Sequence, residues 1–264
     1  DRMPLHTADA LVLRTYKLGE ADRIVVFLTA DRGKRRGVAR GARRPRSRFG
    51  GALEPLTRVR ATYFEHERRE LVRLRQVEPL ASPLTSGRAE ALLYVSYFAE
   101  LIDEWAPEAD PNDRLFRLGA SVAEALAAGA PAERLARYFE YWLLRLQGVY
   151  PALAACRRCG GTLAGGTVRL APRLEGLLCA QCAAPAEGTP LSPEAMAFLV
   201  GARTAAPRSL ADLPLPARAG RELAAVHRRL LAAHLDKELK SARVVRELAA
   251  AYGDCEESTG PARR

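Results

Sequence analysis

Two groups of residues in this 264-residue chain have types and spacing that could do chemistry: four cysteines and one run of arginines. Two residues separate Cys156 from Cys159, two separate Cys179 from Cys182, and 19 lie between the pairs. A two-residue gap lets both thiolates of a tight turn face one ion, with Gly160 accommodating the knuckle. The intervening stretch holds two strand-like runs, Thr167–Leu170 and Gly176–Leu178, enough for a hairpin that brings the second pair opposite the first. This is zinc-ribbon spacing. Four sulfurs would close the coordination sphere of one zinc ion and leave no position for an activated water, so the expected role is structural. Two disulfides are the competing reading, and a cytosol that keeps thiols reduced favours the metal. A thioredoxin-like redox role lacks the βαβ context it needs. Cys255, in a polar C-terminal stretch, reads as a bystander.

The second group is Arg32, Lys34, Arg35, Arg36, Arg40, Arg43, Arg44, Arg46 and Arg48, nine cations in a segment with no acidic residue from Arg32 to Leu53. Of the chain's net charge of +10, residues 1–80 carry +9 and residues 81–264 only +1. Like charges crowded together repel until an anion neutralises them, so a basic excess confined to one segment points to an anionic partner. Only four of the 41 basic residues are Lys, which fits an Ala-rich composition set by the genome, so location says more than the choice of Arg. Gly33, Gly37, Gly41 and Pro45 keep the segment compact, and Arg offers bidentate contacts to phosphate. Phe49 ends the run, with Tyr16, Phe27, Tyr63 and Phe64 in neighbouring strands; Phe27 and Tyr63 fit the core better than a stacking platform. Cationic grooves with aromatic platforms are how small barrels hold single-stranded nucleic acid.

The elements that must position these groups follow from periodicity. Residues 11–16, 23–29, 34–41, 58–64 and 71–77 read as five short strands, with Gly33 and residues 66–70 in turns. Five strands in about eighty residues suit a small closed barrel, and an OB-fold is the natural candidate. From about residue 85, Ala91, Tyr94, Val95, Phe98, Leu101, Ile102 and Trp105 step by three and four and mark a helical face. A second helix opens at Asp110 and Pro111 and ends near Gly129; a third starts at Pro131 and ends at Gly148. Ser192 caps a further helix with Pro193 at its first position, Leu223 to Leu231 lie on another, and Ser241 caps a last one through Ala250. The expected class is multi-domain α+β: a basic OB-fold nucleic-acid-binding domain over 1–80, and a helical domain over 81–252. A zinc ribbon is inserted at about 150–187, and a disordered tail covers 253–264.

Other constellations promise less. Glu65, His66 and Glu67 occupy a charged turn, His227 and His234 share a helical face without a carboxylate cluster nearby in sequence, and Asp103 and Glu104 are expected to face water. There is no P-loop, no G-x-G-x-x-G after a strand, no H-E-x-x-H and no G-x-S-x-G, which lowers the expectation of an enzyme. No run of eighteen apolar residues offers a membrane span, and Asp1–Ala10 lacks the layout of a secretory signal, so a cytoplasmic protein is expected.

Several short motifs then occur in one order. Gly19, Glu20 and Asp22 precede the second strand, Gly33 and Lys34 follow it, then come residues 39–43, Ser47, Arg48 and residues 53–56. A helical region, an inserted four-cysteine ribbon and a terminal stretch of Leu239, Lys240, Ser241 and Arg243 complete the series. Together they resemble the bacterial RecO family over nearly the whole chain. The resemblance implies a recombination mediator that binds single- and double-stranded DNA, anneals complementary strands, including those coated by single-strand-binding protein, and with RecR helps load RecA without a nucleotide cofactor. It implies DNA contact by Lys34, Arg35, Arg36, Arg40, Arg43, Arg44, Arg46 and Arg48, on a protein associated with the nucleoid when bound. An RNA- or transcription-associated zinc-ribbon protein and, further off, a nuclease are the alternatives.

Overall fold

The computed structural model describes residues 4–66, 70–163, 165–184 and 187–235, with Ser241, Val244 and Val245. Expectations for Glu67, for Leu239, Lys240, Arg243 and Cys255, and for the rest of the last helix and tail lie outside the described residues.

The first strands are β1 (Leu5–Leu18), β2 (Asp22–Thr29), β3 (Gly33–Ala39), β4 (Arg58–Phe64) and β5 (Leu71–Ala81). They close into a barrel in the order β1-β2-β3-β5-β4. β1 pairs antiparallel with both β2 and β4, β2 pairs antiparallel with β3, and β3 and β5 run parallel with Gly37 opposite Val72. The OB-fold expectation therefore holds. Inward positions alternate as a half-buried strand requires: Ala8, Ala10 and Val12 from β1, Val25 and Phe27 from β2, Val59, Ala61 and Tyr63 from β4, Val72 and Leu74 from β5. Phe49, Ala52 and Leu53, at and within a 3₁₀ turn over Gly50–Leu53, complete this core.

The chain divides into two compact units. One runs through Leu80 and takes in Gly87–Pro111, so that helix α1 (Ala89–Trp105) packs on β1. The segment after α1 adds to the barrel edge: Lys34 N–H donates to Pro107 O at 3.1 Å, and Ala109 N–H donates to Lys34 O at 3.0 Å. A Cβ on Gly33, whose φ is +70°, would lie 2.2 Å from Asp110 O, so only glycine fits there.

The other unit takes in Ala81–Ser86 and Asn112–Asp236. Its helices are α2 (Asp113–Ala127), α3 (Ala132–Leu146), α4 (Pro193–Ala202) and α5 (Ala217–Leu235), packed around Leu135, Phe139, Leu143, Phe198, Leu223 and Val226. Asn112 caps α2, accepting from Leu115 N–H at 3.1 Å, one residue beyond the expected start at Asp110 and Pro111. Ser192 caps α4 as expected, with Pro193 at the first position. Between α3 and α4 the strands β6 (Val168–Leu170), β7 (Leu177–Leu178) and β8 (Thr189–Leu191) form a sheet in the order β7-β6-β8. The first two match the strand-like runs between the cysteine pairs; β8 lies outside that expectation.

Candidate nucleic-acid interface and metal centre

The sheet brings the two cysteine pairs together. One sulfur from each of Cys156, Cys159, Cys179 and Cys182 lies within 4.8 Å of all the others, and Cys159 Sγ is 3.8 Å from Cys179 Sγ. All four are free thiols. A tetrahedral centre with metal–sulfur bonds of about 2.3 Å has sulfur–sulfur edges of about 3.8 Å, so the cluster has the size of a four-thiolate metal site. The knuckles are closed by backbone bonds: Gly160 N–H to Cys156 O at 2.9 Å, with Gly160 at φ +71°, and Cys182 N–H to Cys179 O at 3.0 Å. Backbone N–H groups of Cys179 and then Cys159 pull the Cys156 thiol down to about 6, and hydrogen bonds with the neighbouring cysteines, Cys159 foremost, push Cys182 up to about 12. The Cys156 thiolate therefore forms near neutral pH, whereas Cys182 holds its proton. A metal cation at the centre would favour the thiolate form of its ligands.

The cations of the basic run fall into two groups. Those on or beside β3 face carboxylates that lie elsewhere in the chain. Lys34, with its side chain only 11% exposed, donates from Nζ to Asp103 O at 2.8 Å and approaches Asp103 Oδ1 at 3.3 Å and Glu108 Oε1 at 3.5 Å. Arg35 pairs with Glu65 at 3.1 Å. Arg36 pairs with Glu108 at 2.8 Å, and this hydrogen bond holds its guanidinium above the usual arginine range. Arg32 lies 3.6 Å from Asp31 and 3.8 Å from Glu65. Asp103, expected to face water, is instead buried at 5% exposure between Lys34 and Arg14. The reason is that it lies on the face of α1 that packs toward the barrel, where a carboxylate is tolerated only if paired.

The second group, Arg40, Arg43, Arg44, Arg46 and Arg48, is exposed, and among the described residues none has a carboxylate partner. These arginines sit on a chain of tight turns closed by Arg44 N–H to Gly41 O at 3.1 Å, Ser47 N–H to Arg44 O at 3.1 Å and Gly50 N–H to Ser47 O at 3.2 Å. Phe49 anchors the far end in the barrel core, and Arg48 lies over its ring at 4.9 Å. The near end is tied to the β1–β2 turn: Arg43 Nη1 donates to Gly19 O at 2.9 Å and Glu20 O at 3.0 Å, and Gly41 N–H donates to Asp22 at 2.8 Å. The loop therefore presents a fixed row of cations.

Of the aromatics, Phe27 and Tyr63 are core as expected, meeting edge to face at 5.7 Å, whereas Tyr16 is 44% exposed. In the second unit His227 proves to be a core histidine. Its Nδ1 is 2.8 Å from Glu140 and its Nε2 is 2.9 Å from Tyr150 Oη. Arg137 donates to Glu140 at 2.7 Å. Glu140, 87 residues away in sequence, is the carboxylate that proximity along the chain could not reveal.

A closed five-stranded barrel with a free arginine loop, followed by a helical unit holding a cluster of four thiols, defines a two-part protein of the OB-barrel and four-cysteine-knuckle kind. The family model for the N-terminal part of recombination protein O matches residues 3–83, and that for its C-terminal part matches residues 87–243. The DNA repair protein RecO of Koribacter versatilis is 39% identical over 248 residues, 92% of this chain and 99% of that protein. The proteins of the same name from Anaeromyxobacter sp. strain K and Nocardioides sp. are 37% and 39% identical, covering 92% and 90% of this chain. The chain belongs to the RecO family, whose role is in DNA repair and recombination. No described helix is long and apolar enough to cross a membrane.

Proposed function

We propose that this chain is a cytoplasmic recombination mediator that binds single- and double-stranded DNA through its barrel and anneals complementary strands. In this reading it acts on strands coated by single-strand-binding protein and, with RecR, helps load RecA. The zinc in its four-cysteine centre is structural, and no chemical step is catalysed. One observation carries the DNA-binding part: five exposed arginines without carboxylate partners, fixed on one loop at the edge of an OB barrel. A cationic surface that screens two phosphate backbones removes the repulsion opposing pairing, and base pairing then supplies the driving force. Phosphate contact is assigned to Arg40, Arg43, Arg44, Arg46 and Arg48. Lys34 is assigned to holding α1 against the barrel, and Arg35 and Arg36 are secondary because each already faces a carboxylate. The test is annealing of complementary oligonucleotides, with and without single-strand-binding protein, by the wild type and by the triple variant Arg40→Glu, Arg43→Glu, Arg44→Glu. The variant is expected to lose annealing while keeping its metal; retained annealing refutes the assignment.

A further inference from the structure

Strand β1 changes faces partway along. Ala8, Ala10 and Val12 point into the barrel at alternate positions, and continued alternation would send Arg14 and Tyr16 inward as well. Instead the pairing with β2 slips: Val12 is opposite Phe27, but Arg14 is opposite Val26, which leaves Leu13 as an extra residue. A bulge of this kind reverses the parity of everything beyond it. Thr15 then falls opposite the core residue Val25, and Arg14 and Tyr16 fall opposite Val26 and Ile24, which are outside the barrel core.

The register extends this outer row. Tyr16 is opposite Ile24, Ile24 is opposite Val38, and Val38 is opposite Arg73, so one line crosses four strands. Tyr16 is exposed, Ile24 and Val38 are half-buried and Arg73 is exposed. Leu18, two residues beyond Tyr16 on the same face, is also exposed. The line lies about 7 Å, two residues along the strand, from the end of the β1–β2 pairing. The arginine loop is hydrogen-bonded to the turn that follows. An exposed aromatic on a short apolar row, with cations beside it and no acid in the row, matches an unpaired nucleic-acid strand better than a protein surface, because bases need stacking planes and phosphates need cations.

The ring is also held in place. The Arg14 guanidinium lies over Tyr16 at 5.2 Å and bonds to the Asp103 carboxylate, which Lys34 grips from within the unit. One face of the ring is thus backed by a cation that is itself anchored, and a base can approach the other.

We propose that Tyr16, aimed outward by the β1 bulge and backed by Arg14, is a stacking platform for the bases of single-stranded nucleic acid. Arg14, Asp103 and Lys34 are its positioning residues. The inference rests on the DNA-binding reading above. It adds a base contact, independent of sequence, to a site otherwise made of phosphate contacts.

The test compares the full-length wild type, Tyr16→Ala and Tyr16→Phe on three labelled ligands: oligothymidylate, an abasic strand of equal length, and a duplex. Tyr16→Ala is expected to bind oligothymidylate at least about fivefold more weakly, the lower edge of what a base–aromatic stack contributes. Its affinity for the abasic strand and the duplex should match wild type, since the first has no bases and the second keeps them stacked. Its salt slope should also be unchanged, because no phosphate contact is lost, and Tyr16→Phe should restore binding. Equal affinity of Tyr16→Ala and wild type for oligothymidylate overturns the platform, as does an equal loss on the abasic strand. A loss that tracks a change in sedimentation would instead assign the row to a second copy of the chain, and overturns it too. Wild type that binds none of the ligands in a salt-dependent way overturns the parent reading; salt-dependent binding indifferent to Tyr16 overturns the platform alone.

Discussion

The salt dependence of DNA binding can be worked from the structure, because the fold decides how many cations of the basic run are free. Nine positive charges lie between Arg32 and Leu53, but Arg32, Lys34, Arg35 and Arg36 face carboxylates of Asp31, Glu65, Asp103 and Glu108. A cation already neutralised by a carboxylate gains little by exchanging it for a phosphate and displaces few counterions. The five arginines from Arg40 to Arg48 remain. With a slope of about −0.7 per neutralised phosphate on a single strand, five contacts give a slope of about −3.5 in log K against log salt. Between about 50 and 200 mM salt that is roughly a hundredfold loss of affinity, whereas nine contacts would give a slope near −6 and a loss of several thousandfold.

Fluorescence anisotropy of labelled oligothymidylate, titrated at a series of sodium chloride concentrations, measures the slope directly. Replacing Arg40, Arg43 and Arg44 by Ala should reduce its magnitude by about 2. Arg36→Gln should leave it unchanged, because Arg36 is exposed but paired with Glu108 at 2.8 Å. A contribution from Arg73 would steepen the wild-type slope by only about 0.7. A wild-type slope near −6, or a clear reduction with Arg36→Gln, would show that ion pairing within the fold does not withhold those cations, and the reasoning would fail.

Two further outcomes follow from the second unit. Purified protein should carry about one zinc per chain, and Cys159→Ser should lose it and lower the thermal midpoint without altering the salt slope; metal content well below one for the wild type would sink the four-thiolate reading. Burial holds His227 below its ordinary range, against the opposing pull of Glu140. The unfolded chain therefore takes up the proton first as pH falls below about 6.5, and stability drops on acidification by at most about 1.4 kcal/mol per pH unit from this group. Urea unfolding from neutral to mildly acid pH should show that slope in the wild type and a shallower one in His227→Gln; identical slopes would exclude His227 as the source.

How much of this was legible in the sequence depended on the range of the interaction involved. Strands with alternating apolar residues, the helical face from Ala91 to Trp105 and the Ser192 cap are local patterns, and each is found, although β1 starts at Leu5 and β5 runs on to Ala81, beyond the expected 11–16 and 71–77. The clustering of the four cysteines was equally legible, because a tight turn and a hairpin are all that their sulfurs need to meet. The partners of Lys34 and His227 were not. Asp103 is 69 residues from Lys34 and Glu140 is 87 from His227, and only the packing of α1 on the barrel and of α3 against α5 brings them together.

The charge of the basic run shows what that difference means for function. Counted along the chain, the run is uniform, and every cation in it is an equal candidate for phosphate. Folding sorts it by element. The β3 cations are held where α1, the segment after it and the end of β4 supply acids, whereas among the described residues the arginines beyond Ala39 pair with no carboxylate. The one-residue bulge at Leu13 acts on the same principle from the opposite side, since parity alone decides whether Arg14 and Tyr16 fill the barrel or face its surroundings. Strict alternation running through Leu13, with no residue bulged out, would turn a guanidinium and a phenol into a closed core that has no partners for them, a cost of several kcal/mol. The bulge is therefore a condition for the barrel to close with this sequence, and the outward Tyr16 is its direct consequence.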